Sequence, residues 1–307
     1  MSKILIVGGT GFLGFHYAKY CLKKKFKVLS LSRNKPRKIR YLKNVKYYYA
    51  DISNKVQISK VLKKFKKIDF VVNFGGEVNH KNLKKTLNSH YLGCKNLINF
   101  YLQKNLKKFI QIGSSLEYGN GKSPQKETYS LRPKSNYSRA KANSSIFVNN
   151  IFKNKKFPVM IIRPYQVYGP YQDLNRFIPI IINNCLQNRN FPCSEGNQFR
   201  DFLYIDDFVR YLFILMNKTN TVGEVFNVGS GKPKKIKYVI KLIKNKIKTG
   251  APNFGQIKLR PEENLKTYPD ISKLKKYTKQ SPKITFLNGL AKTIKFYKNN
   301  KLWKLLY

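Results

Sequence analysis

The stretch Gly8-Gly9-Thr10-Gly11-Phe12-Leu13-Gly14 limits what this chain can fold into more than any other. A short apolar run, Ile4-Leu5-Ile6-Val7, leads into it, and Phe15 to Lys24 behind it reads as a helix. Strand, glycine turn and helix in that order give a glycine pattern its meaning. Gly8 permits the tight turn, Gly11 lets backbone approach a pyrophosphate, and Gly14 lets the helix lie close on the strand. The helix start then offers free N–H groups and a positive dipole end to phosphates. Thr10, Phe12 and Leu13 share that turn and are assigned to the same ligand. Glycine triplets also occur in ordinary turns. Here the strand is the first in the chain and the next arrives on schedule, so the reading is a dinucleotide site.

The rest of the first half repeats the theme. Strands are expected at 3–8, 26–32, 47–50, 69–73, 109–113 and 158–163, with helices at 12–24, 52–66, 83–103 and 135–152 between them. Crossovers this long imply a parallel sheet covered on both faces. The expected class is therefore α/β, a doubly wound parallel sheet of Rossmann type with its ligand at the carboxyl ends of the strands. After Pro164 aromatic, Pro and Asn residues cluster and strands shorten. Helices are expected at about 175–188, 206–217, 235–247 and 284–298, and short strands near 200–205, 224–228 and 256–260. The chain thus divides into a dinucleotide-binding domain at 1–170 and a smaller C-terminal α/β substrate lobe at 171–307, with 222–232 rejoining the first sheet.

Composition enters through charge. Lys and Arg total 62 against 14 Asp and Glu, a net charge of +48. Such an excess suits nucleic acid or a membrane surface. Only 11 of these residues are Arg, however, and the lysines are spread over every expected helix and loop. Asn, Ile, Phe and Tyr are abundant too, the mark of compositional drift. The charge is read as solvated surface, with no specific nucleic-acid partner. No apolar run approaches the ~18 residues of a membrane span. Met1-Ser2-Lys3 enters the first strand with no signal-peptide pattern. A cytoplasmic protein is expected, off the membrane. Cys21, Cys94, Cys185 and Cys193 lack metal spacing and are read as free thiols, with no metal.

The end of the second strand reads Leu31-Ser32-Arg33. A carboxylate in this slot holds the ribose 2′-hydroxyl of NAD, whereas an arginine accommodates the 2′-phosphate of NADP. Ser32 can hydrogen-bond a phosphate and Arg33 can pair with it through two N–H groups. Arg is scarce in this chain, so its presence here points to NADP, with NAD the alternative. Asp51, followed by Ile52, ends the third strand; it either accepts from the adenine amino group or caps the next helix. Tyr137 and Lys141 stand four apart at the start of a helix and share a face. A nearby ammonium is expected to lower the phenol's pKa and make it an acid/base near neutrality. The pattern is weak alone. Ser114, directly after the fifth strand, strengthens it, because strand end and helix are neighbours in this fold.

Taken together, these residues make the chain resemble the extended short-chain dehydrogenases/reductases of the nucleotide-sugar epimerase/dehydratase/reductase family, over nearly its whole length. The glycine turn is similar to the family's GxxGxxG. Gly113-Ser114-Ser115-Leu116-Glu117-Tyr118-Gly119 is similar to its Ser/Thr-x-x-x-Tyr-Gly segment, and Tyr137 and Lys141 to its catalytic pair. The resemblance implies Ser114, Tyr137 and Lys141 as catalytic residues. It places Asn73 and Pro164 beside the cofactor, and gives Gln166, Arg200 and Arg260 to a nucleotide-diphosphate sugar; Arg176 either adds a contact there or begins a solvated helix. Arg200 and Arg260 would grip the diphosphate with forked, charge-assisted contacts. It also implies a homodimer built on the 83–103 and 135–152 helices.

Three departures stand out. Gln166 replaces the family's usual Asn. His90 stands where an Asn is common and is read as a packed core histidine. Asn73-Phe74-Gly75-Gly76 replaces the usual His-Leu-Ala-Ala. Family 4,6-dehydratases carry an Asp-Glu pair directly after the catalytic hydroxyl; here Ser115-Leu116 stands there, so elimination at C5/C6 lacks its acid and base. Glu117, one place on, is expected to face elsewhere on an extended segment. A 4-ketoreductase using NADPH and a 4-epimerase retaining NAD both remain open, and Ser32-Arg33 tilts toward the first. The same fold could also serve an NADP-sensing regulatory protein, or a reductase of a substrate without a diphosphate. The intact Ser114, Tyr137 and Lys141 argue against the sensor, and the two arginines against the reductase of that kind.

Overall fold

The computed structural model describes residues 1–77, 82–259 and 263–299. Five strands alternate with helices over the first third: β1 (Lys3–Val7), α1 (Phe12–Lys23), β2 (Lys27–Ser32), β3 (Val45–Tyr49), α2 (Lys55–Leu62), β4 (Phe70–Asn73), α3 (Leu83–Leu87), α4 (Gly93–Tyr101) and β5 (Lys108–Ile112). The sequence continues with α5 (Asn136–Lys155), β6 (Val159–Pro164), β7 (Gln166–Tyr168), α6 (Phe177–Leu186), β8 (Asn190–Pro192), β9 (Phe199–Arg200), β10 (Phe202–Tyr204) and α7 (Ile205–Asn217). Last come β11 (Val225–Val228), β12 (Lys234–Lys235), α8 (Ile236–Ile247), β13 (Ala251–Asn253), β14 (Lys266–Thr267), α9 (Ser272–Thr278) and α10 (Phe286–Asn299).

Seven strands make one parallel sheet in the order β3-β2-β1-β4-β5-β6-β11. The order reverses between β1 and β4, which opens a crevice at their carboxyl ends. Alternation along each strand builds two cores. Ile4 and Ile6 face one, with Ile110, Ile112, Met160 and Ile162, covered by Tyr17 of α1 and Leu212 of α7. Leu5 and Val7 face the other, with Phe109, Val159 and Ile161, covered by Ile58 of α2 and Leu97 of α4. Deleting one of these buried side chains to Ala costs about 2–5 kcal/mol in such a core. Lys108, though charged, is 3% exposed at the start of β5. Its ammonium donates to the carbonyls of Leu215 at 3.2 Å and Met216 at 3.0 Å, ending α7 where the helix dipole favours a cation.

Val225–Val228 rejoins the main sheet, as expected, while α6, α8 and α10 pack against one another. Three expectations are corrected. The single 83–103 helix is α3 and α4 joined through a π-turn at Asn88–Leu92, the kind of bulge that gathers at functional sites. The 52–66 helix is shorter, and Asn54 rather than Asp51 caps it, accepting from Val56 and Gln57 N–H. No strand lies at 256–259 among the described residues; pairing occurs earlier, between β13 and β8, and Gly255 at φ +86° then turns the chain. Helix α9 was not anticipated, its lysine-rich sequence offering few apolar positions. Among the described residues no helix is long and apolar enough to cross a membrane, and no cluster of three or more His, Cys, Asp or Glu stands ready for a metal. The four cysteines are buried free thiols.

Candidate active site

The crevice holds a cavity of about 640 Å³ along the carboxyl ends of the main strands. At one end lies the glycine turn. Gly8 takes φ +76°, and a Cβ on Gly14 would stand 2.3 Å from the Gly8 carbonyl oxygen, so the helix could not sit this close with any larger residue. Helix α1 starts from Gly11 with no side-chain cap and no acidic residue in its first turn. Its leading N–H groups therefore face the cavity without an intrahelical partner. These features fit a dinucleotide pyrophosphate. Gly8, Thr10, Gly11, Phe12, Leu13, Gly14, Ser32, Arg33, Asp51 and Ile52 all line this end. Ser32 Oγ accepts from Thr10 N–H at 3.4 Å. Arg33 is half-exposed and pairs with the Glu77 carboxylate at 2.7 Å across the mouth.

At the other end β5 stops and the chain tightens into a 3-10 turn, Ser115–Tyr118, with Ser114 as its N-cap. Ser114 Oγ accepts from Leu116 N–H at 3.2 Å, and the Glu117 carboxylate accepts from Ser114 N–H at 2.7 Å. Ser135 caps α5 through a reciprocal pair with Ser138, which sets the first turn that carries Tyr137. The Ser114 hydroxyl stands beside the Tyr137 phenol and favours its ionised form. Lys141 lies beneath, its Nζ 5.9 Å from the Tyr137 ring centroid and donating to the Ile112 carbonyl at 2.7 Å. The three expected catalytic side chains thus meet at one point, with Pro164, Gln166 and Arg176 also on the wall.

The electrostatics differ from the expected picture. Burial pushes the Tyr137 phenol above its ordinary value, and the negative Glu117 pushes the same way. The Ser114 hydroxyl and the positive Arg176 pull down, without prevailing. Burial also lowers Lys141 to about 8, against the raising charge of Glu117. The expected depression of Tyr137 by Lys141 is not found, because the ammonium is anchored on the β5 carbonyl and the buried phenol favours its neutral form.

Glu117 faces away from the cavity, as expected, but the conformation of its segment is corrected. The segment is a turn, not extended, and Glu117 is fully buried, paired with Arg163 at 2.9 Å. Arg163 donates on to Tyr118 Oη, and Tyr118 donates to Asn227, which links β5, β6 and β11 behind the site. Asn73 does not reach the cavity. It is buried, its amide donating to Gln111 at 2.8 Å and its oxygen accepting from Gly75 N–H, so it shapes the loop and not the wall. Arg200 lies off the cavity as well. Pairing of β9 with β12 and β14 turns its guanidinium to Glu263, 2.7 Å away. Arg260 is outside the described residues. His90 is 4% exposed, as a core histidine should be, yet its ring meets Tyr137 edge-on at 5.1 Å and lines the cavity. Glu77 is a wall residue that the linear pattern did not single out, and Leu116, named there only for the carboxylate it replaces, is another. For Leu116 the available signal was its place two residues after Ser114.

The description "NAD dependent epimerase/dehydratase family" matches residues 4–229. A dTDP-D-glucose 4,6-dehydratase of Dictyostelium discoideum is 30% identical over 269 residues, covering 75% of this chain and 58% of that protein, so the match spans little more than half of that relative's length. A dTDP-D-glucose 4,6-dehydratase of Homo sapiens is 28% identical over 322 residues, covering 97% of this chain and 91% of its own. Among solved structures, a UDP-glucuronic acid 4-epimerase from Bacillus cereus, in complex with UDP-glucuronic acid and NAD, superposes with a TM-score of 0.88 at 26% identity. That match covers 99% of this chain and all of the other.

Proposed function

Because the chain belongs to the NAD dependent epimerase/dehydratase family, we propose that it is a nucleotide-sugar oxidoreductase that reduces a 4-keto sugar nucleotide at C4 with NADPH. The relatives named above are dehydratases and an epimerase, so the reductase reading rests on this chain's own residues. One observation carries it. Ser114, Tyr137 and Lys141 stand together, while the two positions after the catalytic hydroxyl hold Ser115 and Leu116. Oxidoreduction at C4 has its acid/base; elimination at C5/C6 has none at those positions.

The glycine turn and the α1 N-terminus would hold the cofactor's pyrophosphate, and bound NADPH supplies hydride to the sugar carbonyl carbon. Tyr137 donates its proton to the carbonyl oxygen as the C=O bond becomes C–O–H. Ser114 hydrogen-bonds the same oxygen and so places the carbon. Lys141 holds the nicotinamide ribose and stabilises the phenolate left behind. Arg33 would take the 2′-phosphate of NADP. Its half-exposed pair with Glu77 is worth about 0–1 kcal/mol, so exchanging that carboxylate for a phosphate costs little. Arg176, on the cavity wall, is assigned to the sugar nucleotide. Arg200 and Arg260 are assigned to the diphosphate, Arg200 leaving Glu263 to do so. A homodimer through α3–α4 and α5 belongs to the same proposal, and a sedimentation mass of one chain would remove it.

A 4-epimerase with tightly bound NAD is the second reading, favoured by the likeness to the NAD-bound 4-epimerase. Cofactor stoichiometry separates the two. Net oxidation of one NADPH per keto sugar is the expected result; interconversion of C4 epimers with no net cofactor change would establish the epimerase. In the same preparation, NADP should bind at least tenfold tighter than NAD, and Arg33→Ser should erase that difference. A wild-type preference for NAD would end the assignment of Arg33.

A further inference from the structure

We propose that Glu77 is a specificity-determining residue for the cofactor, supplying from the loop after β4 the carboxylate that the end of β2 lacks. The inference rests on the reading that Arg33 takes the 2′-phosphate, and it adds a second, opposite charge to the same slot. Among the described residues three carboxylates line the cavity: Asp51, Glu77 and Asp173. Asp51 accepts from the N–H and the hydroxyl of Ser53 at 2.8 and 2.7 Å, closing its own turn. Asp173 pairs with Arg40 at 2.9 Å and with Arg37 at 3.6 Å. Glu77 is the one of the three that pairs with Arg33, at 2.7 Å.

The backbone fixes this placement. In the sheet β1 lies between β2 and β4, so the pair reaches from one side of the glycine turn to the other, at the end of the cavity assigned to the dinucleotide. The Glu77 N–H donates to Ser89 Oγ at 2.9 Å, and His90 Nε2 donates to the Glu77 carbonyl at 3.2 Å. Both partners belong to the π-turn Asn88–Leu92. A Cβ on Gly76 would stand 1.9 Å from the buried His90 ring, so glycine before Glu77 lets the loop lie this close on the turn. The Glu77 side chain is 18% exposed against 46% for Arg33, so the carboxylate is the held member of the pair and the guanidinium the one with room to turn. A ribose 2′ substituent that meets Arg33 therefore meets this carboxylate too. A phosphate there must compete with Glu77 for the guanidinium and then lie beside a like charge. A 2′-hydroxyl needs no such exchange. It can donate to the carboxylate, which has lone pairs beyond those facing Arg33, in a charge-assisted bond. One residue thus restrains NADP and supports NAD.

The test is titration calorimetry on the full chain, with oxidised NADP and NAD as probes, no sugar present, and salt at about 0.15 M to screen long-range charge. Glu77→Ala should tighten NADP by about threefold or more and weaken NAD by about threefold or more, so the two affinities move in opposite directions. Glu77→Gln, which keeps an acceptor, should tighten NADP likewise and leave NAD within about twofold. Damage to the loop would weaken both cofactors, and a mere change of net charge would strengthen both. Either result with Glu77→Ala, or an NADP-to-NAD ratio unchanged within about twofold, overturns the role of Glu77. With Arg33 already Ser, Glu77→Ala should tighten NADP by less than half as much, because no guanidinium is left to compete for; the full gain persisting there overturns the competition. If Arg33→Ser leaves NADP affinity unchanged, the assignment of Arg33 falls and this inference with it. If Arg33→Ser weakens NADP while the Glu77 variants change nothing, the role of Glu77 falls alone.

Discussion

Tyr137 and Lys141 were legible in the linear pattern, because four residues on a helix bring two side chains to one face. Their charge states were not, since these depend on burial that no spacing encodes. A phenol held above its ordinary value stays neutral at pH 7, as a proton donor in reduction must. Lys141, lowered to about 8, is the first of the pair to change charge as pH rises. The sign follows from the direction of reaction. For ketone reduction kcat/KM should be level below about pH 7.5 and fall roughly tenfold per unit well above pH 8, as the ammonium is lost. For alcohol oxidation, which needs phenolate, the rate should rise with pH. A reduction rate that climbs through pH 8 would contradict these roles. Leu116 and His90 mark the limit of a linear reading: one is an apolar residue left in the open, the other a buried ring set edge-on to Tyr137, and both facts are tertiary.

At the scale of elements, strands and helices were readable wherever apolar periodicity ran long, as in β1, α1 and α7. Short pieces governed by tertiary hydrogen bonds were not. The turn after β5 is the telling case. Glu117 was expected to face away from the site on an extended segment; in the fold it is the buried anchor of the turn that holds Ser114, neutralised by Arg163 from β6. Removing one partner of such a pair leaves an uncompensated buried charge, at a cost of about 3–5 kcal/mol. Arg163→Met should therefore lower the urea midpoint markedly, and Glu117→Gln combined with Arg163→Met should restore much of the loss. If Arg163→Met costs less than about 1 kcal/mol, the pair does not hold the turn. The π-turn between α3 and α4 went unseen for a similar reason: the bulge answers to the cavity that Ser89 and His90 face, while the periodicity around it is unbroken.

For the molecule as a whole, the doubly wound sheet followed from the order of apolar runs, and the return of β11 to its edge was legible too. The reach of the second lobe was not. Arg200 was expected at the diphosphate, whereas sheet pairing turns it to Glu263, so its part in binding requires exchange of that carboxylate for phosphate. Among the described residues only Arg33, Lys141 and Arg176 of the basic side chains line the cavity, so most of the +48 charge lies outside the candidate site. Chemistry confined to C4 of the sugar is what the proposed function requires above all. Its most direct test is isotope transfer, with NADPH deuterated at nicotinamide C4 and a dTDP- or UDP-linked 4-keto-6-deoxyhexose, followed by mass and NMR analysis of the product. One deuterium delivered to sugar C4, with none from heavy water at C5 or C6, is the predicted result; enzyme-dependent solvent deuterium at C5 or C6, or an unlabelled C4, would contradict it.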